Sequence, residues 1–331
     1  TKEFGTTDDV YAVGYTSLSS LKLNVSIFEK YDLNLNIIEI LKEPTIKNIV
    51  KQINLNKDES SDLNRLIESS KDIQYYPLTN NQLGIYYECI QSDIEAYYNL
   101  PSIIRFDNTV NPEKLKNAIE EVINTYPYLK TRIVSHNGEL MQKRDDSLEI
   151  EDINIVEIDD ISNDEIKRKN VKSFELENNQ LFRFKIYKTD SETILFTDIH
   201  HIISDGDSLD TLFKNIANAY NGVEIEKESV DGYVNSLIEK EFESSDEFEF
   251  SKKYFHEQLT KDIESTILTP NLNGNQDEGN LKSVCKNIYS DKIFKFCADR
   301  RISPNVLFMA TTILNLNKFT FSDKTLFATI F

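Results

Sequence analysis

The sequence of 331 residues is poor in the residues that build metal centres and disulfide frameworks. It contains four histidines and three cysteines, and the cysteines, Cys89, Cys285 and Cys297, are far apart with no C-x-x-C pair. An odd, scattered set of cysteines argues against a disulfide scaffold or a zinc site and is typical of a reducing compartment. We therefore expect a cytoplasmic protein that holds no structural metal.

Long hydrophobic runs and positive charge are also scarce. No apolar run approaches the roughly 20 residues that cross a bilayer, and the opening residues TKEFGTTDD lack the apolar segment of a signal peptide. The 37 basic residues are outnumbered by 56 acidic residues, which gives a net charge of −19 at pH 7. A chain with this charge repels nucleic acids and anionic membranes, so neither is an expected partner.

The chemistry of the sequence is concentrated in residues 195–209, which read LFTDIHHIISDGDSL. The apolar residues 194–199 predict a strand that delivers His200 and His201 side by side. Neighbouring side chains of a strand point to opposite faces, so one histidine should pack against the protein and the other should face a cavity. An imidazole titrates near neutral pH and can act as a general base.

The residues after the two histidines predict a tight turn that leads into a helix. Gly206 suits a turn that a Cβ atom would obstruct, and Asp205 lies where it can be tied back beneath the end of the strand. Ser208 or Asp207 can cap a helix that starts near Leu209. The plainer alternative is a buried strand end with hydrogen-bonded histidines and no catalytic role.

This stretch resembles the H-H-x-x-x-D-G motif of the condensation domains of nonribosomal peptide synthetases, which is also found in related acyltransferases of the chloramphenicol acetyltransferase type. Three further segments resemble the same family in the same order along the chain. They are Thr79 followed by Gln82 at the start of a helix, the run YNLP at residues 98–101, and the segments FEL and LFRF at residues 174–176 and 181–184.

The resemblance implies a role for each residue of the motif. His201 would position or deprotonate an acceptor amine, Asp205 would orient the site, Gly206 would form the turn and His200 would be structural. In the family the aspartate of the motif is paired with an arginine. The corresponding arginine motif falls on TYPYLKTRI at residues 125–133, so the candidate cations are Lys130, Arg132 and, later in the chain, Arg183.

Residues 8–53 resemble a peptidyl carrier protein. Apolar residues recur three to four positions apart after Ser17 and predict a helix, and the N-terminus of a helix favours a phosphate. Ser17 matches the serine that receives the cofactor 4′-phosphopantetheine in that family, although Tyr15 and Thr16 depart from the family's loop. A plain N-cap is the alternative use of such a serine.

The resemblance implies an α+β, multidomain fold in four parts. Residues 1–53 would be a small helical carrier bundle that lacks its first helix, and residues 54–74 would be a polar linker. Residues 75–250 would form a chloramphenicol-acetyltransferase-like α/β lobe of a condensation domain. Residues 251–331 would be a bridging segment and the truncated start of a second such lobe.

Local patterns predict individual elements. Asn137 and Gly138 predict a hairpin turn that leaves His136 exposed to solvent. The remaining expectations are strands over residues 102–106, 183–187 and 326–331, helices over residues 112–124 and 208–221, and an apolar helix that begins after Ser303.

The activity that the resemblance implies is amide bond formation between a carrier-bound donor thioester and the amine of a downstream carrier-bound aminoacyl acceptor. The implied partners are that downstream carrier, an upstream adenylation domain and a phosphopantetheinyl transferase. Heterocyclisation domains carry D-x-x-x-x-D in place of the histidines, and epimerisation domains usually have Trp where Leu209 stands. Two alternatives stay open, a free-standing acyltransferase that uses coenzyme A and a non-catalytic docking domain of the same fold.

Overall fold

A computed structural model describes residues 5–10, 23, 26–27, 30, 33, 35, 40, 42–55, 61–92, 96–228, 230–259, 266, 285–288, 290–300, 302–322 and 325–327. The chain divides into two compact units. One unit consists of Thr1–Asp62 together with Glu249–Phe331, and the other is Leu63–Phe248. Ser17 and its loop lie outside the described residues.

The described elements of the chain begin with two helices, continue with seven strands interspersed with helices, and end with five helices. In order they are α1 (Ile46–Leu55), α2 (Ser61–Ser70), β1 (Tyr75–Pro77), α3 (Asn80–Gln91), β2 (Asn99–Asp107), α4 (Pro112–Thr125), a 3₁₀ helix (Pro127–Lys130), β3 (Arg132–His136), β4 (Glu139–Lys143), β5 (Asn154–Glu157), α5 (Asn163–Asn170), β6 (Phe182–Lys188), β7 (Glu192–His200), α6 (Gly206–Tyr220), α7 (Gly232–Phe242), α8 (Asp246–Gln258), α9 (Ser290–Arg300) and α10 (Pro304–Thr320).

The unit Leu63–Phe248 is built on a four-stranded sheet of order β2-β7-β6-β5. Strands β2 and β6 flank β7 in antiparallel pairs, whereas β5 runs parallel to β6. Eight of the nine residues of β7 are buried. A strand that is covered on both faces reads as a nearly continuous apolar run, which is why the sequence pattern of residues 194–199 identified it. The strands predicted over residues 102–106 and 183–187 are confirmed as parts of β2 and β6.

Helices cover both faces of this sheet, and side chains of β7 alternate between the two cores. Leu195 and Ile199 belong to the larger core, with α4 and α6, whereas Ile194 and Phe196 belong to a second core with Ile166 of α5. Each fully buried aliphatic or aromatic side chain stabilises the fold by roughly 1.5–3 kcal/mol. The predicted helices at residues 112–124 and 208–221 are confirmed as α4 and α6.

A second, three-stranded sheet has the order β1-β4-β3. Its β3–β4 hairpin turns at Asn137 and Gly138, whose φ angles are 53° and 86°. Two consecutive residues with positive φ are what a two-residue type I′ hairpin requires, so the predicted turn is confirmed. The expectation that His136 is exposed in that turn is wrong. His136 ends β3, is half-buried, and stacks on Tyr75 with the ring centroids 3.8 Å apart.

The expectation of an irregular polar linker over residues 54–74 does not hold for residues 61–70, which form α2. Two contacts tie this helix to the unit Leu63–Phe248. Tyr76 donates hydrogen bonds from its hydroxyl to the carbonyl oxygens of Ser70 and Ile73, and Arg65 forms a 2.6 Å ion pair with Glu241 of α7. Leu63, Leu66 and Ile67 have the i, i+3 and i+4 spacing of an apolar helix face, and these tertiary contacts add to that local pattern.

The other unit contains a small apolar cluster and the last helices. Ile49 of α1 is buried with residues at positions 27, 33, 35 and 40, and Val10 donates its N–H to the carbonyl of Pro44 at 2.9 Å. The apolar helix α10 begins after the N-cap Ser303, as predicted. Residues 326–327 have no regular structure, and the rest of the strand expected over 326–331 lies outside the described residues. Among the helices of the described ranges, none is both long and apolar enough to span a membrane.

Gly232, the first residue of α7, lies directly against the ring of Tyr128, and a Cβ atom at this position would overlap that ring. We expect Gly232→Ala to lower the free energy of unfolding by about 1–3 kcal/mol, because overpacking a filled core forces side chains to shift. Gly84→Ala on α3 is the matched control, since no atom lies within 4 Å of a Cβ atom there. Thermal unfolding should show a lower Tm for Gly232→Ala and no loss for Gly84→Ala; equal Tm values would contradict this packing.

Candidate functional site

Strand β7 carries His200 as its last residue, and His201 follows in a turn over residues 201–203. The antiparallel register with β2 places Asn99 opposite His200. The backbone N–H of His201 donates to the carbonyl of Tyr98 at 2.8 Å, one residue before β2 begins. His201 is half-exposed, whereas His200 is 3% exposed. The two adjacent imidazoles therefore occupy different environments, as the period of two in a strand predicts.

His200 uses both ring nitrogens inside the protein. Its Nδ1 accepts a hydrogen bond from the N–H of Ile202 at 3.2 Å, and its Nε2 lies 3.7 Å from Sγ of Cys89. The edge of the Phe174 ring closes the third side, with the centroids 5.8 Å apart. Burial, together with the charges of His201 and Arg183, lowers the pKa of His200 to about 4. At neutral pH His200 is uncharged, and its one lone pair is occupied.

Asp205 is the N-cap of α6, and this corrects the sequence-based expectation. Its Oδ1 accepts hydrogen bonds from the backbone N–H of Ser208 at 2.8 Å and from the Ser208 hydroxyl at 2.6 Å. The helix consequently starts at Gly206 rather than near Leu209, and the cap is Asp205, not Ser208 or Asp207. Asp is as good an N-cap as Ser, so Asp205, Asp207 and Ser208 are all possible caps, and the first of them along the chain caps the helix.

The electrostatic setting of Asp205 favours its carboxylate form. Burial would raise the pKa of Asp205, but the two hydrogen bonds from Ser208 and the nearby His201 lower it, and the net direction is downward. A carboxylate at the N-terminus of α6 also interacts favourably with the helix dipole. Asp205 is therefore a fixed negative charge four residues after His201.

The expectation that Gly206 occupies a turn which a Cβ atom would obstruct is wrong. Gly206 is the first residue of α6, it is not among the residues with positive φ, and no atom lies within 4 Å of a Cβ atom built on it. The backbone at this position is accessible to any residue type. Gly206 therefore does not relieve backbone strain. It leaves open space at the N-terminus of α6, where a side chain would otherwise stand.

None of the three candidate cations is paired with Asp205. The ammonium of Lys130 donates to the carbonyl of Asp146 at 3.2 Å, and Nη1 of Arg132 donates to the carbonyl of Lys130 at 3.1 Å. Lys130, only 7% exposed, lines a cavity of about 500 Å³ that contains no residue of the 201–206 segment. The pairing that the resemblance implied for Asp205 is therefore corrected.

Arg183 is instead paired with Asp198, a fully buried residue of β7 that the sequence analysis missed. Nη1 of Arg183 lies 3.1 Å from Oδ2 of Asp198, and Nδ2 of Asn99 donates to the same oxygen at 2.7 Å. The guanidinium also stacks over the ring of Phe174 at 3.7 Å. Burial raises the pKa of Asp198, while Asn99 and Arg183 oppose that rise. A charged residue inside the apolar run before His200 was the pattern that could have revealed it.

The guanidinium of Arg183 also holds the backbone that supplies Phe174. It donates to the carbonyl of Lys172 at 2.7 Å and to the carbonyl of Ser173 at 2.9 Å. Because Phe174 packs edge-on against His200, the Arg183–Asp198 pair fixes the wall of the His200 pocket. The segment LFRF at residues 181–184 therefore supports the histidine motif, because its Arg183 positions the ring of Phe174 that packs against His200.

Gln82 reaches the turn after His201 from α3. The side chain is buried, its Oε1 accepts from the N–H of Thr79 at 2.9 Å in a capping box, and its Nε2 donates to the carbonyl of Ile202 at 2.8 Å. Gln142 of β4 and Tyr128 of the 3₁₀ helix complete this group of buried polar side chains. The Thr79–Gln82 pair is visible in the sequence, but the carbonyl of Ile202 that Gln82 binds lies 120 residues away and could not be identified from it.

Tyr98 and Glu88 form a polar pair beside the half-exposed histidine. The Tyr98 hydroxyl donates to Oε2 of Glu88 at 2.5 Å, and the Tyr98 ring stands edge-on to His201 with the centroids 6.3 Å apart. The hydrogen bond to Glu88 is the largest cause that raises the pKa of Tyr98 to about 12. Tyr98 is therefore a neutral hydroxyl at physiological pH, and Glu88 is exposed.

The family of the chain follows from its match to a protein-family model. Residues 72–331 match the model of the family described as "Condensation domain". The chain belongs to this family. The segment that resembles a carrier protein, residues 8–53, lies outside the matched region.

Similar curated proteins are large synthases. The chain is 29% identical over 255 residues to bacitracin synthase 3 of Bacillus licheniformis, and this alignment covers 76% of the chain and 4% of that protein. It is 27% identical over 264 residues to gramicidin S synthase 2 of Aneurinibacillus migulanus, covering 79% of the chain and 6% of that protein. The chain thus spans a small fraction of the length of the curated relatives that it matches.

Solved structures support the fold of the condensation family. The condensation domain from Monacolin K polyketide synthase matches with a TM-score of 0.59 at 13% identity, over 76% of this chain and 61% of that one. The starter condensation domain of rhizomide synthetase matches with a TM-score of 0.52 at 14% identity, over 59% and 50%. The α/β architecture that the resemblance implied for the first lobe is therefore confirmed at the level of the fold.

The low pKa of His200 makes the stability of the fold sensitive to acid. A histidine whose pKa falls on folding binds protons mainly in the unfolded state, so the free energy of unfolding decreases as the pH falls from about 6.5 to about 4. We expect a loss of at most about 3 kcal/mol across this window. Urea titrations at several pH values should show that acid lowers the free energy of unfolding less in His200→Asn than in the wild type. The side-chain oxygen of this asparagine can still accept the hydrogen bond from the N–H of Ile202.

Nuclear magnetic resonance gives a direct test of the same prediction. The ring protons of His200 should keep the chemical shifts of a neutral imidazole between pH 8 and pH 5. A midpoint near pH 6.5 for His200 would show that its pocket does not exclude the charged form.

Proposed function

We propose that residues 72–331 catalyse amide bond formation between a carrier-bound donor thioester and the amine of an acceptor carried by a downstream domain. The observation that supports this most is the position of His201. A partly exposed imidazole stands one residue after a strand of which eight of nine residues are buried, and its charge acts on the carboxylate of Asp205, in a chain of the condensation family.

In the proposed reaction the amine nitrogen attacks the carbonyl carbon of the donor thioester. A C–N bond forms, the C–S bond breaks, and the donor's thiol leaves. The nitrogen loses one proton, and the departing sulfur gains one. His201 accepts the proton from the nitrogen and returns it to the sulfur, so the imidazole ends the cycle unchanged. Holding two tethered reactants in one geometry supplies much of the rate.

Asp205 and Gly206 support this chemistry without touching the reacting atoms. The Asp205 carboxylate favours the protonated imidazole that forms during the transfer, since opposite charges in proximity stabilise each other. The open space beside Gly206 leaves room for a substrate at the N-terminus of α6. His200, which is neutral and fully engaged in hydrogen bonds, holds the turn.

The carrier assignment is a separate part of the proposal. Residues 8–53 would be a peptidyl carrier domain with 4′-phosphopantetheine attached to Ser17, and residues 251–331 would begin the second lobe. The resemblance around Ser17 and the apolar cluster with Ile49 support the carrier. The partners would be an adenylation domain upstream, an acceptor carrier downstream and a phosphopantetheinyl transferase, all in the cytoplasm.

A second candidate function is acyl transfer from coenzyme A without a carrier domain. The observation that favours it is the extent of the family match, which begins at residue 72 and leaves the carrier-like segment unmatched. The departures at Tyr15 and Thr16 point in the same direction. A docking domain without catalysis is the third possibility, and the loss or retention of amide formation separates it from the other two.

The central prediction concerns His201→Ala. We expect the rate of amide formation to fall about 10²- to 10⁴-fold, because a positioned acid–base group typically contributes that much. Single-turnover reactions with an aminoacyl-pantetheine donor and an aminoacyl thioester acceptor, followed by mass spectrometry, measure the rate. The matched control is His256→Ala, an exposed histidine of α8 that should retain full activity. Equal rates for wild type and His201→Ala would eliminate His201 as the base or positioner.

The carrier assignment predicts a Ser17-dependent change of mass. Incubation with coenzyme A and a broad-specificity phosphopantetheinyl transferase should add one phosphopantetheine to the wild type and none to Ser17→Ala, which intact-mass spectrometry detects. Absence of the addition in both proteins would remove the carrier from the proposal. In that case turnover of acyl-coenzyme A in the absence of a carrier would favour the second candidate function.

A further inference from the structure

The turn that carries His201 is held by hydrogen bonds on each of its peptide groups. The N–H of His201 donates to the Tyr98 carbonyl at 2.8 Å. The N–H of Ile202 donates to the His200 ring at 3.2 Å, and the N–H of Ile203 donates to the His200 carbonyl at 3.1 Å. All three of these partners lie on the strand or beside it. The carbonyl of Ile202 differs, because its partner is Gln82, a side chain of α3.

The orientation of the Gln82 amide is fixed by its own environment. Thr79 donates its backbone N–H to Oε1 at 2.9 Å as part of the capping box that starts α3. The amide nitrogen must therefore point away from Thr79. It faces the carbonyl of Ile202 at 2.8 Å, the Tyr128 hydroxyl oxygen at 2.9 Å and Oε1 of Gln142 at 3.1 Å. The two N–H bonds of the amide are shared among these three atoms, and a flipped amide would set Oε1 against the carbonyl of Ile202 and Oε1 of Gln142, which cannot donate.

The neighbours of Gln82 are fixed in the same way. Gln142 donates from Nε2 to the carbonyl of Pro77 at 2.8 Å, which turns its oxygen towards Gln82, and that oxygen accepts the Tyr128 hydroxyl at 2.7 Å. Tyr128 packs its ring against Gly232. The donor to Ile202 is thus supported by β1, β4 and the 3₁₀ helix, and the group has one self-consistent arrangement.

We propose that Gln82 is a positioning residue for His201, acting through the carbonyl of Ile202. Ile202 is 2% exposed, so without Gln82 its carbonyl would be buried with an unmet hydrogen bond. The turn would then rotate to bring that carbonyl towards water, and the imidazole one residue earlier would move with it. This inference rests on the proposed function of His201, and it assigns to the first helix of the lobe a part in orienting the base.

Gln82→Met and Gln82→Glu test the assignment with side chains of similar size. The methionine cannot donate, so we expect kcat for amide formation to fall about ten- to a hundredfold with KM nearly unchanged, since a small displacement of a catalytic group costs about this much. The glutamate can donate only when it is protonated. Its activity relative to wild type should therefore rise as the pH is lowered.

Tyr76→Phe is the control for the loss of a buried hydrogen bond. It removes a hydroxyl whose hydrogen is shared between the carbonyls of Ser70 and Ile73, neither of which belongs to the Gln82 group or to the 201–203 turn, and should lower Tm while leaving kcat at the wild-type value. If Gln82→Met lowers Tm as Tyr76→Phe does but keeps the wild-type kcat, then Gln82 only stabilises the fold and the positioning role is refuted.

Hydrogen exchange separates failure of this inference from failure of the proposed function. The amides of Ile202 and Ile203 should exchange at least about tenfold faster in Gln82→Met than in wild type, and at the wild-type rate in Tyr76→Phe. If no amide forms even with the wild-type protein, the proposed function fails, and exchange alone then decides whether Gln82 holds the turn. Unchanged exchange in Gln82→Met would overturn the positioning role whatever the activity.

Discussion

Burial of β7 on both faces is the constraint on which the rest of this lobe depends. A polar side chain on such a strand has no access to water and depends on partners inside the protein, which Oγ1 of Thr197 and Oδ1 of Asp198 lack. Asp198 finds Arg183 and Asn99, and His200 finds the N–H of Ile202. The strand ends at His200, and His201 follows in a turn that is only partly covered. The candidate base therefore stands where the chain emerges from the core, one residue after the end of β7.

The same constraint separates the chemistry of two identical side chains. His200 is held neutral by burial and by the positive charge of Arg183, while His201 has Asp205 nearby as a negative charge. A second charged imidazole next to His201 would oppose its protonation. Because burial keeps His200 uncharged near neutral pH, it places no second positive charge beside His201.

Local patterns in the sequence predicted the local structure well. The hairpin at Asn137 and Gly138, strand β7 and helix α6 each follow from a few neighbouring residues, and each is present. The paired histidines lie, as predicted, where a strand meets a turn that leads into a helix. The first residue of α6 was misplaced because several residues in the segment could cap a helix.

Contacts between distant parts of the chain could not be predicted in the same way. The choice of Arg183 for Asp198 instead of Asp205 depends on the register between β6 and β7, which places Arg183 opposite Asp198. The bond from Gln82 to Ile202 depends on how α3 packs, and no pattern in the sequence specifies that packing. Helix α2 was missed because only three apolar residues, Leu63, Leu66 and Ile67, mark its apolar face in a polar segment, and because its ion pair with Glu241 joins residues far apart in the sequence.

Helix α2 also determines how far a tethered carrier could travel. An extended residue contributes up to about 3.3–3.6 Å of reach, whereas a helical residue contributes about 1.5 Å. The ten residues of α2 therefore span roughly 15 Å instead of about 35 Å, and because Arg65 is paired with Glu241 they are not a free part of the connection between residues 53 and 75. A carrier domain at residues 8–53 would explore a much smaller volume than a leash of fully flexible chain permits. A smaller volume raises its effective concentration at any site within reach.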